Sequence, residues 1–169
     1  MKTVLLIRHA KSSWDNSSLN DFDRPLNERG KKNAPEMAKR LLKQKIKIDL
    51  FISSPAKRAK STAKLFMHEF NRNEKEILLV AELYHASDDV FKTVIASLDD
   101  TFKSIAIFSH NPGITDFANS LSEVQIDNIP TCGVFGISAD IKKWNEFFAN
   151  KRQFLFFDYP KSEMGTDSA

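Results

Sequence analysis

Residues 3–10 have the sequence Thr-Val-Leu-Leu-Ile-Arg-His-Ala, an apolar run that stops abruptly at an arginine and a histidine. A short run of β-branched and aliphatic side chains predicts a buried strand. When helices cover both faces of a sheet, polar chemistry is displaced to the carboxyl ends of its strands, where open α/β sheets bind their ligands. Arg8 and His9 are therefore candidates for a binding site, although a strand that simply leaves the core through two basic residues would have the same pattern.

The length and the cysteine content limit the class of protein. A chain of 169 residues is expected to form one domain with a sizeable core. Its single cysteine, Cys132, has no partner for an internal disulfide and no ligand neighbours at zinc-finger spacing. The first residues carry one lysine and a short apolar run, which fits neither a signal peptide nor a membrane span. We therefore expect a cytoplasmic protein that does not contact the membrane.

The charge pattern bounds the partners. The formal net charge is +3, and Lys and Arg are interspersed with Asp and Glu along the chain. This pattern argues against a nucleic-acid partner, which requires an extended basic surface. A single basic cleft would still be enough to bind a small anion.

Predicted strands and helices alternate over the whole chain. This alternation predicts an α/β fold, a three-layer α/β/α sandwich with a mainly parallel central sheet. We expect residues 1–161 to form the single domain and residues 162–169 to be a frayed C-terminal tail. After the first strand, apolar runs predict further strands at 48–53, 76–81, 103–109, 133–138 and 153–158, and helical patterns predict helices from about 33, from 54 to 70, at 87–98 and at 114–122.

Local signals predict where two of these helices begin. Gly30 and Pro35 interrupt the segment after Asn27, so the first helix is expected to become regular near residue 33. In the second helix, Ser54 is the expected N-cap. Arg58 then falls in the first turn, where the helix dipole disfavours a cation unless an anion is present.

A second predicted strand also stops at a histidine, because the run ending at Ser109 is followed by His110. The carboxyl ends of parallel strands meet at one edge of a sheet, so we expect Arg8, His9, Arg58 and His110 to be neighbours. Two arginines and two histidines suit a doubly charged tetrahedral oxyanion. A neutral imidazole can also accept a phosphoryl group. The residues thus predict phosphoryl transfer through His9, without a metal ion.

Four motifs occur in the same order as in the histidine phosphatase superfamily. They are R-H-A-K-S-S-W at 8–14, D-R-P-L with E-R-G at 23–30, S-S-P-A-x-R-A at 53–59 and S-H-N-P-G at 109–113. The set resembles bacterial SixA-type phosphohistidine phosphatases, although Ala10 stands where most relatives have glycine. Asp15 replaces the asparagine that mutase-type relatives carry at this spacing, which argues against a mutase.

The resemblance implies a phosphoglycerate mutase-like fold, with no cofactor and no metal. It implies a phosphate pocket in which His9 is the phosphorylated nucleophile beside Arg8, Arg58 and His110. It also makes Glu82 the candidate proton donor. Further candidates for contacting phosphate or orienting the histidines are Lys11, Ser12, Arg24 and Asn111.

The substrate is predicted from the short connections, which leave no long insertion to cover the pocket. An open pocket admits a phosphorylated side chain on another protein. Phosphohistidine is the expected group, because its imidazole leaving group has a conjugate-acid pKa near about 6.5 and needs little acid assistance. Two alternatives remain open: a phosphatase or mutase acting on a small phosphorylated metabolite, and a non-catalytic phosphate-binding module.

Overall fold

The computed structural model describes residues 1–161, in which strands and helices alternate as predicted. The strands are β1 (Lys2–Arg8), β2 (Leu50–Ser53), β3 (Leu78–Leu79), β4 (Ser104–Ser109), β5 (Val134–Ala139) and β6 (Arg152–Asp158). The helices are α1 (Glu28–Lys43), α2 (Lys57–Glu69), α3 (Asp88–Ala96) and α4 (Gly113–Leu121). The predicted C-terminal tail, residues 162–169, lies outside the described residues.

The strands form one six-stranded sheet in the order β3-β2-β4-β1-β5-β6. The four strands β3, β2, β4 and β1 are parallel, whereas β5 and β6 are antiparallel to their neighbours. The prediction of a mainly parallel sheet is therefore confirmed. The two antiparallel strands come last in the chain, after the helices that make the parallel crossovers.

Successive side chains of β1 enter two different cores, one on each face of the sheet. Val4 and Leu6 pack into a cluster that contains the buried faces of α3 and α4. Leu5 and Ile7 pack into a cluster that contains those of α1 and α2. All four side chains are fully buried, as expected for a strand between two helical layers.

Three parallel strands end at the same level. Arg8 of β1 is in register with Ser109 of β4, and the next residue, His9, donates its backbone N–H to the Ser109 carbonyl at 3.1 Å. On the other side of β4, Ser54 donates its backbone N–H to the Phe108 carbonyl at 3.0 Å. The backbone ladder itself therefore brings the residues after β1, β2 and β4 to one edge of the sheet.

The predicted start of the first helix is wrong, because α1 begins at Glu28 rather than near residue 33. Asn27 is the N-cap, and its side chain accepts the Gly30 N–H at 2.8 Å. Gly30 does not interrupt the helix. A Cβ at this position would lie 2.2 Å from the Lys11 carbonyl oxygen, so the glycine allows α1 to pack directly on the backbone that follows β1.

Two smaller expectations are also corrected, and one element was not predicted. The N-cap of α2 is Ala56 and not Ser54, since the helix begins at Lys57, and the Ser54 hydroxyl bonds to both the Ala56 N–H and His110. The third strand is reduced to Leu78–Leu79 and is followed by a 3₁₀ helix at Ala81–His85. The loop after β1 contains a second 3₁₀ helix, Asp21–Asp23, for which the sequence analysis had no prediction.

Candidate active site

His9 stands directly after β1, and both nitrogens of its buried ring have partners. The Nδ1 atom lies 2.7 Å from the Ala10 carbonyl oxygen, which can only accept, so Nδ1 carries the proton. The Nε2 atom accepts a hydrogen bond from Arg58 Nε at 3.3 Å. The lone pair of the neutral imidazole therefore resides on Nε2, the nitrogen that faces the arginine.

The electrostatic surroundings keep His9 uncharged. Burial is the largest cause that lowers its pKa, to about 4, and Arg58, Arg8 and Arg24 lower it further. The hydrogen bond to Ala10 acts in the opposite direction. At neutral pH the ring is thus a free base, which is the form that can act as a nucleophile.

Arg58 is the second residue of α2, as the sequence predicts, and its side chain is buried. The position of the helix relative to β1 is fixed by Thr62, whose hydroxyl accepts the Ala10 backbone N–H at 2.9 Å and donates to the Arg58 carbonyl at 2.7 Å. No acidic residue shares the first turn of α2. The guanidinium therefore adds its charge to the positive end of a helix.

His110 follows β4 and faces His9, with their ring centroids 5.2 Å apart. Its Nε2 lies 2.7 Å from the Ser54 hydroxyl. Burial, and then the neighbouring His9 and Arg58, lower the pKa of His110 to about 3. The two histidines are thus neutral neighbours on adjacent parallel strands.

Arg8 is the last residue of β1, and its Nη1 donates to the Ile129 carbonyl at 3.0 Å. Burial and the charge of Arg58 lower the pKa of its guanidinium. The structure thus brings together the four residues that the sequence predicted as a pocket, although their catalytic roles remain predictions.

Unpaired donors are concentrated at this edge of the sheet. Within residues 1–161, five buried side-chain nitrogen or oxygen atoms have no hydrogen-bond partner, and four of them belong to Arg8, Arg24 and His110. Buried polar atoms are normally paired, so an unpaired set at one place needs an explanation. An oxyanion bound at this edge would supply acceptors for such donors.

Among the further candidates for contacting phosphate, Arg24 is the one whose charge acts on His9. It is buried, and its guanidinium stacks 3.4 Å from the ring centroid of the exposed Trp14. Its Nε lies 3.4 Å from an Asp21 carboxylate oxygen, and Nη1 has no partner in the described part of the chain. Burial and the charge of Arg58 lower the pKa of Arg24, so this cation also lies in the field of the site.

The other three candidates for contacting phosphate differ from Arg24 in their surroundings. Lys11 is exposed, and Ser12 is buried in a β-bridge to Leu26. The Asn111 amide donates to Asn128 and to the Ile129 carbonyl, while its oxygen accepts from Thr115. Asn111 therefore holds the turn after β4 together.

Glu82, the candidate proton donor, is exposed in the 3₁₀ helix at Ala81–His85. It lines an apolar groove between β3 and α3, with Val90 and Val94 among its neighbours. Instead, Tyr84 reaches the pocket from this segment, since its ring packs edge-on against His110 at 5.5 Å between centroids. The role of Glu82 as proton donor stays a prediction.

Two residues of the site, Asp21 and Tyr84, were not predicted from the sequence. Asp21 pairs with Arg58 at 3.0 Å, and the Tyr84 hydroxyl donates to the same carboxylate oxygen. Asp21 precedes the D-R-P-L motif by two residues, so the length of the loop after β1 was the available signal. Nothing in the local sequence of Tyr84 distinguishes it from Glu82.

The two buried histidines predict how stability depends on pH. Their folded pKa values, about 4 and about 3, lie below the unfolded value of 6.5, so the unfolded chain binds more protons between these limits. The free energy of unfolding should therefore decrease as the pH falls below about 6.5. We expect the Tm to fall from pH 7.5 to pH 4.5, and His9→Gln or His110→Gln to flatten this dependence.

The matched control for this measurement is His68→Gln, because His68 is exposed on α2. Its pH dependence of Tm should follow that of the wild type. A wild-type slope that survives both pocket substitutions would assign the effect to other groups.

Residues 1–161 contain neither a metal-ligand cluster nor a membrane-spanning helix. No group of three or more His, Cys, Asp or Glu side chains in residues 1–161 is arranged to hold a metal ion. No helix in the same range is both long enough and apolar enough to cross a membrane.

Comparison with known sequences gives one family match and one relative. The family model of the histidine phosphatase superfamily (branch 1) matches residues 4–84, which extend from β1 to Tyr84. An uncharacterized chloroplastic protein of Arabidopsis thaliana is 28% identical over 156 residues, which cover 88% of this chain and 71% of the relative.

Solved structures share the fold over nearly the whole chain. The SixA protein of Agrobacterium tumefaciens, a proposed phosphohistidine phosphatase, superimposes with a TM-score of 0.79 at 24% identity, covering 94% of this chain and 98% of its own. The protein histidine phosphatase SixA complexed with tungstate gives 0.80 at 20% identity, with coverages of 94% and 97%. A mycobacterial glucosyl-3-phosphoglycerate phosphatase gives 0.65 at 14%, with coverages of 92% and 97%.

These likenesses confirm the predicted phosphoglycerate mutase-like α/β sandwich. The sequence match covers the part of the chain that carries Arg8, His9 and Arg58, and the shared fold extends to the strand before His110. Residues 4–84 therefore resemble the histidine phosphatase superfamily, and the fold of SixA extends over nearly the whole chain.

Proposed function

We propose that the chain is a phosphatase that hydrolyses phosphohistidine on a protein through a covalent phospho-His9 intermediate. The observation that carries this proposal is the set of buried, unpaired donors on Arg8, Arg24 and His110, beside a neutral histidine whose Nε2 carries the lone pair. The match of residues 4–84 to the histidine phosphatase superfamily supports a phosphatase that binds phosphate and phosphoesters.

In the first half-reaction, His9 Nε2 attacks phosphorus and the phosphorus–nitrogen bond of the substrate breaks. The substrate imidazole leaves with the bonding electron pair and takes a proton from solvent. Donors from Arg8, Arg58 and His110 stabilise the equatorial oxygens of the transferring group. Since Ala56 N–H already donates to the Ser54 hydroxyl, that hydroxyl can donate to His110 Nε2 and leave Nδ1–H for the phosphoryl group.

In the second half-reaction, water attacks the phosphorus of phospho-His9. The bond to Nε2 breaks, its electron pair returns to the imidazole, and inorganic phosphate leaves after the water loses a proton to solvent. The hydrogen bond from Nδ1 to Ala10 keeps the ring in one tautomer and one orientation throughout. No step requires a metal ion, because guanidinium groups supply the positive charge.

The leaving group favours phosphohistidine over an alcohol phosphate. An imidazole leaves readily because its conjugate acid has a pKa near about 6.5, whereas an alkoxide needs a proton donor in the transition state. Glu82, the predicted donor, is exposed in a neighbouring groove. A site whose candidate proton donor is exposed suits phosphohistidine, because this substrate needs acid assistance less than an alcohol phosphate does.

A small-metabolite phosphatase is the second candidate. It is favoured by the fold shared with the mycobacterial glucosyl-3-phosphoglycerate phosphatase, a protein whose name includes a small phosphorylated sugar acid. A phosphate-binding module without turnover ranks last, since all four pocket positions hold chemically competent residues. The cytoplasmic location and the independence from metal ions belong to the proposal as well.

A substrate comparison tests the proposal. We expect kcat/KM for a phosphohistidine-bearing protein to exceed that for sugar phosphates and glycerate phosphates by at least about 100-fold, because the alcohol esters lack a good leaving group. Phosphate release is measured for each substrate under the same conditions. Faster turnover of one metabolite would show that the chain is a small-metabolite phosphatase. Binding of phosphate without hydrolysis of any substrate would show that it is a non-catalytic phosphate-binding module.

A further inference from the structure

The 3₁₀ helix at Asp21–Asp23 places a carboxylate against the arginine of the pocket. Asp21 accepts from Arg58 twice, through its backbone carbonyl to Nη1 at 2.7 Å and through its carboxylate to Nη2 at 3.0 Å. The same carboxylate oxygen accepts from the Tyr84 hydroxyl. One residue of a surface loop thus holds both terminal nitrogens of Arg58.

The bonding pattern divides the guanidinium into two edges. Arg58 has five N–H donors in a fixed plane. Asp21 occupies the edge formed by the two terminal nitrogens, and Nε on the side edge points to His9 Nε2 at 3.3 Å. A phosphoryl group on His9 Nε2 would therefore accept hydrogen bonds from the side edge of Arg58, which consists of Nε–H and the neighbouring N–H of a terminal nitrogen.

The carboxyl group of Asp21 is suited to hold Arg58 as a hydrogen-bond acceptor and not to act as a proton donor. The hydrogen bond from Tyr84 lowers the pKa of its carboxyl group, and Arg58 and Arg24 lower it further. Asp21 is therefore an anion at neutral pH and accepts hydrogen bonds only. Its side chain remains 51% exposed, so its removal creates no cavity in the core.

We propose that Asp21 is a positioning residue, which fixes the Arg58 guanidinium so that Nε faces the phosphoryl group on His9, and that Tyr84 aligns its carboxylate. This inference deepens the proposed function. It rests on that function for its kinetic readout, while the binding readout depends only on the geometry of the pocket.

Competition between Asp21 and the substrate for Arg58 would predict the opposite change in anion affinity when Asp21 is neutralised. A carboxylate that competes with the substrate anion for Arg58 would weaken anion binding, so that its neutralisation would strengthen binding. A carboxylate that orients Arg58 improves anion binding, because a pre-positioned fork loses less freedom when it binds. The position of Asp21 on the edge of the guanidinium that faces away from Nε supports orientation.

The test uses tungstate as the probe and measures its dissociation constant by calorimetry with the full chain. Asp21→Asn is expected to weaken tungstate binding about tenfold, the usual scale for one charge-assisted contact. Asp23→Asn is the matched control, since Asp23 is exposed in the same 3₁₀ helix and the charge change is identical. Stronger binding by Asp21→Asn, or equal changes in both variants, would overturn the proposal.

A second comparison asks whether Asp21 acts through Arg58. In an Arg58→Ala background, Asp21→Asn should cause no further loss of tungstate affinity, because the group that it orients is gone. A tenfold loss in both backgrounds would give Asp21 an independent role and reject the inference. If Asp21→Asn does not fold, Tyr84→Phe replaces it, with an expected loss of about threefold in tungstate affinity.

The kinetic readout separates this inference from the proposed function. Asp21→Asn should slow phosphorylation of His9 by about 10- to 100-fold in a single turnover of the folded variant. If tungstate binding depends on Asp21 but phospho-His9 never forms, the proposed function fails and the positioning role stands. If phosphohistidine is hydrolysed and Asp21→Asn matches Asp23→Asn in both assays, only the positioning role fails.

Discussion

Replacement of His9 by alanine is expected to lower kcat for phosphohistidine hydrolysis by about 10⁴-fold or more, because it removes the proposed nucleophile. His9 Nε2 carries the lone pair, and the pKa of about 4 keeps the ring neutral at physiological pH. The chain should still fold, since His9 is at the end of β1 and not inside its core-facing run. The measurements are phosphate release, covalent labelling by phosphate and the thermal transition.

His68→Ala is the control for this substitution. His68 is an exposed histidine on α2, so its loss should leave labelling and turnover unchanged. Phosphorylation that persists in His9→Ala, together with turnover, would assign the nucleophile to His110, the only other histidine in the described pocket. A folded His9→Ala variant without either signal supports the assignment made here.

Replacement of Arg58 by alanine has the second largest expected effect. The rate of His9 phosphorylation should fall by about 10²- to 10³-fold, the loss typical for one preorganised donor at a developing charge. Arg58→Lys should recover only part of this rate, since a lysine cannot donate from two fixed edges to His9 and Asp21 together. Single-turnover labelling measures the rate.

Lys57→Ala provides the matched comparison, because Lys57 is the preceding residue in the same first turn of α2 and is exposed. Its phosphorylation rate should equal that of the wild type. If both substitutions reduce the rate to the same degree, the effect comes from the general charge of the helix end and not from the placement of the guanidinium.

Local patterns were sufficient for the strand ends that carry the site. The apolar runs before Arg8 and His110 have the composition of buried strands, and the first turn of α2 is recognisable from the residues around Pro55. Because parallel strands present their carboxyl ends at one edge, these patterns predict which residues meet. The positions of Arg8, His9, Arg58 and His110 could therefore be predicted, and the structure does bring these residues together.

Contacts between distant parts of the chain could not be anticipated in the same way. Ser54 looked like a helix cap because its tertiary partner, His110, lies 56 residues away. Gly30 looked like an interruption because the backbone that it approaches belongs to another segment. Asp21 and Tyr84 are 63 residues apart in the sequence, so their shared contact near Arg58 can be recognised only in the folded structure. Propensity describes short stretches, whereas these roles depend on packing.

The backbone hydrogen bond from His9 to Ser109 has a consequence for how the site withstands change. The two histidines extend from adjacent strands, so their separation is one interstrand spacing, about 4.8 Å, and their ring centroids are 5.2 Å apart. Opening this gap requires the centre of the sheet to open, which is normally the last part of a domain to unfold. The two histidines thus have the durability of the sheet itself, whereas Asp21 acts on Arg58 from a loop outside the sheet.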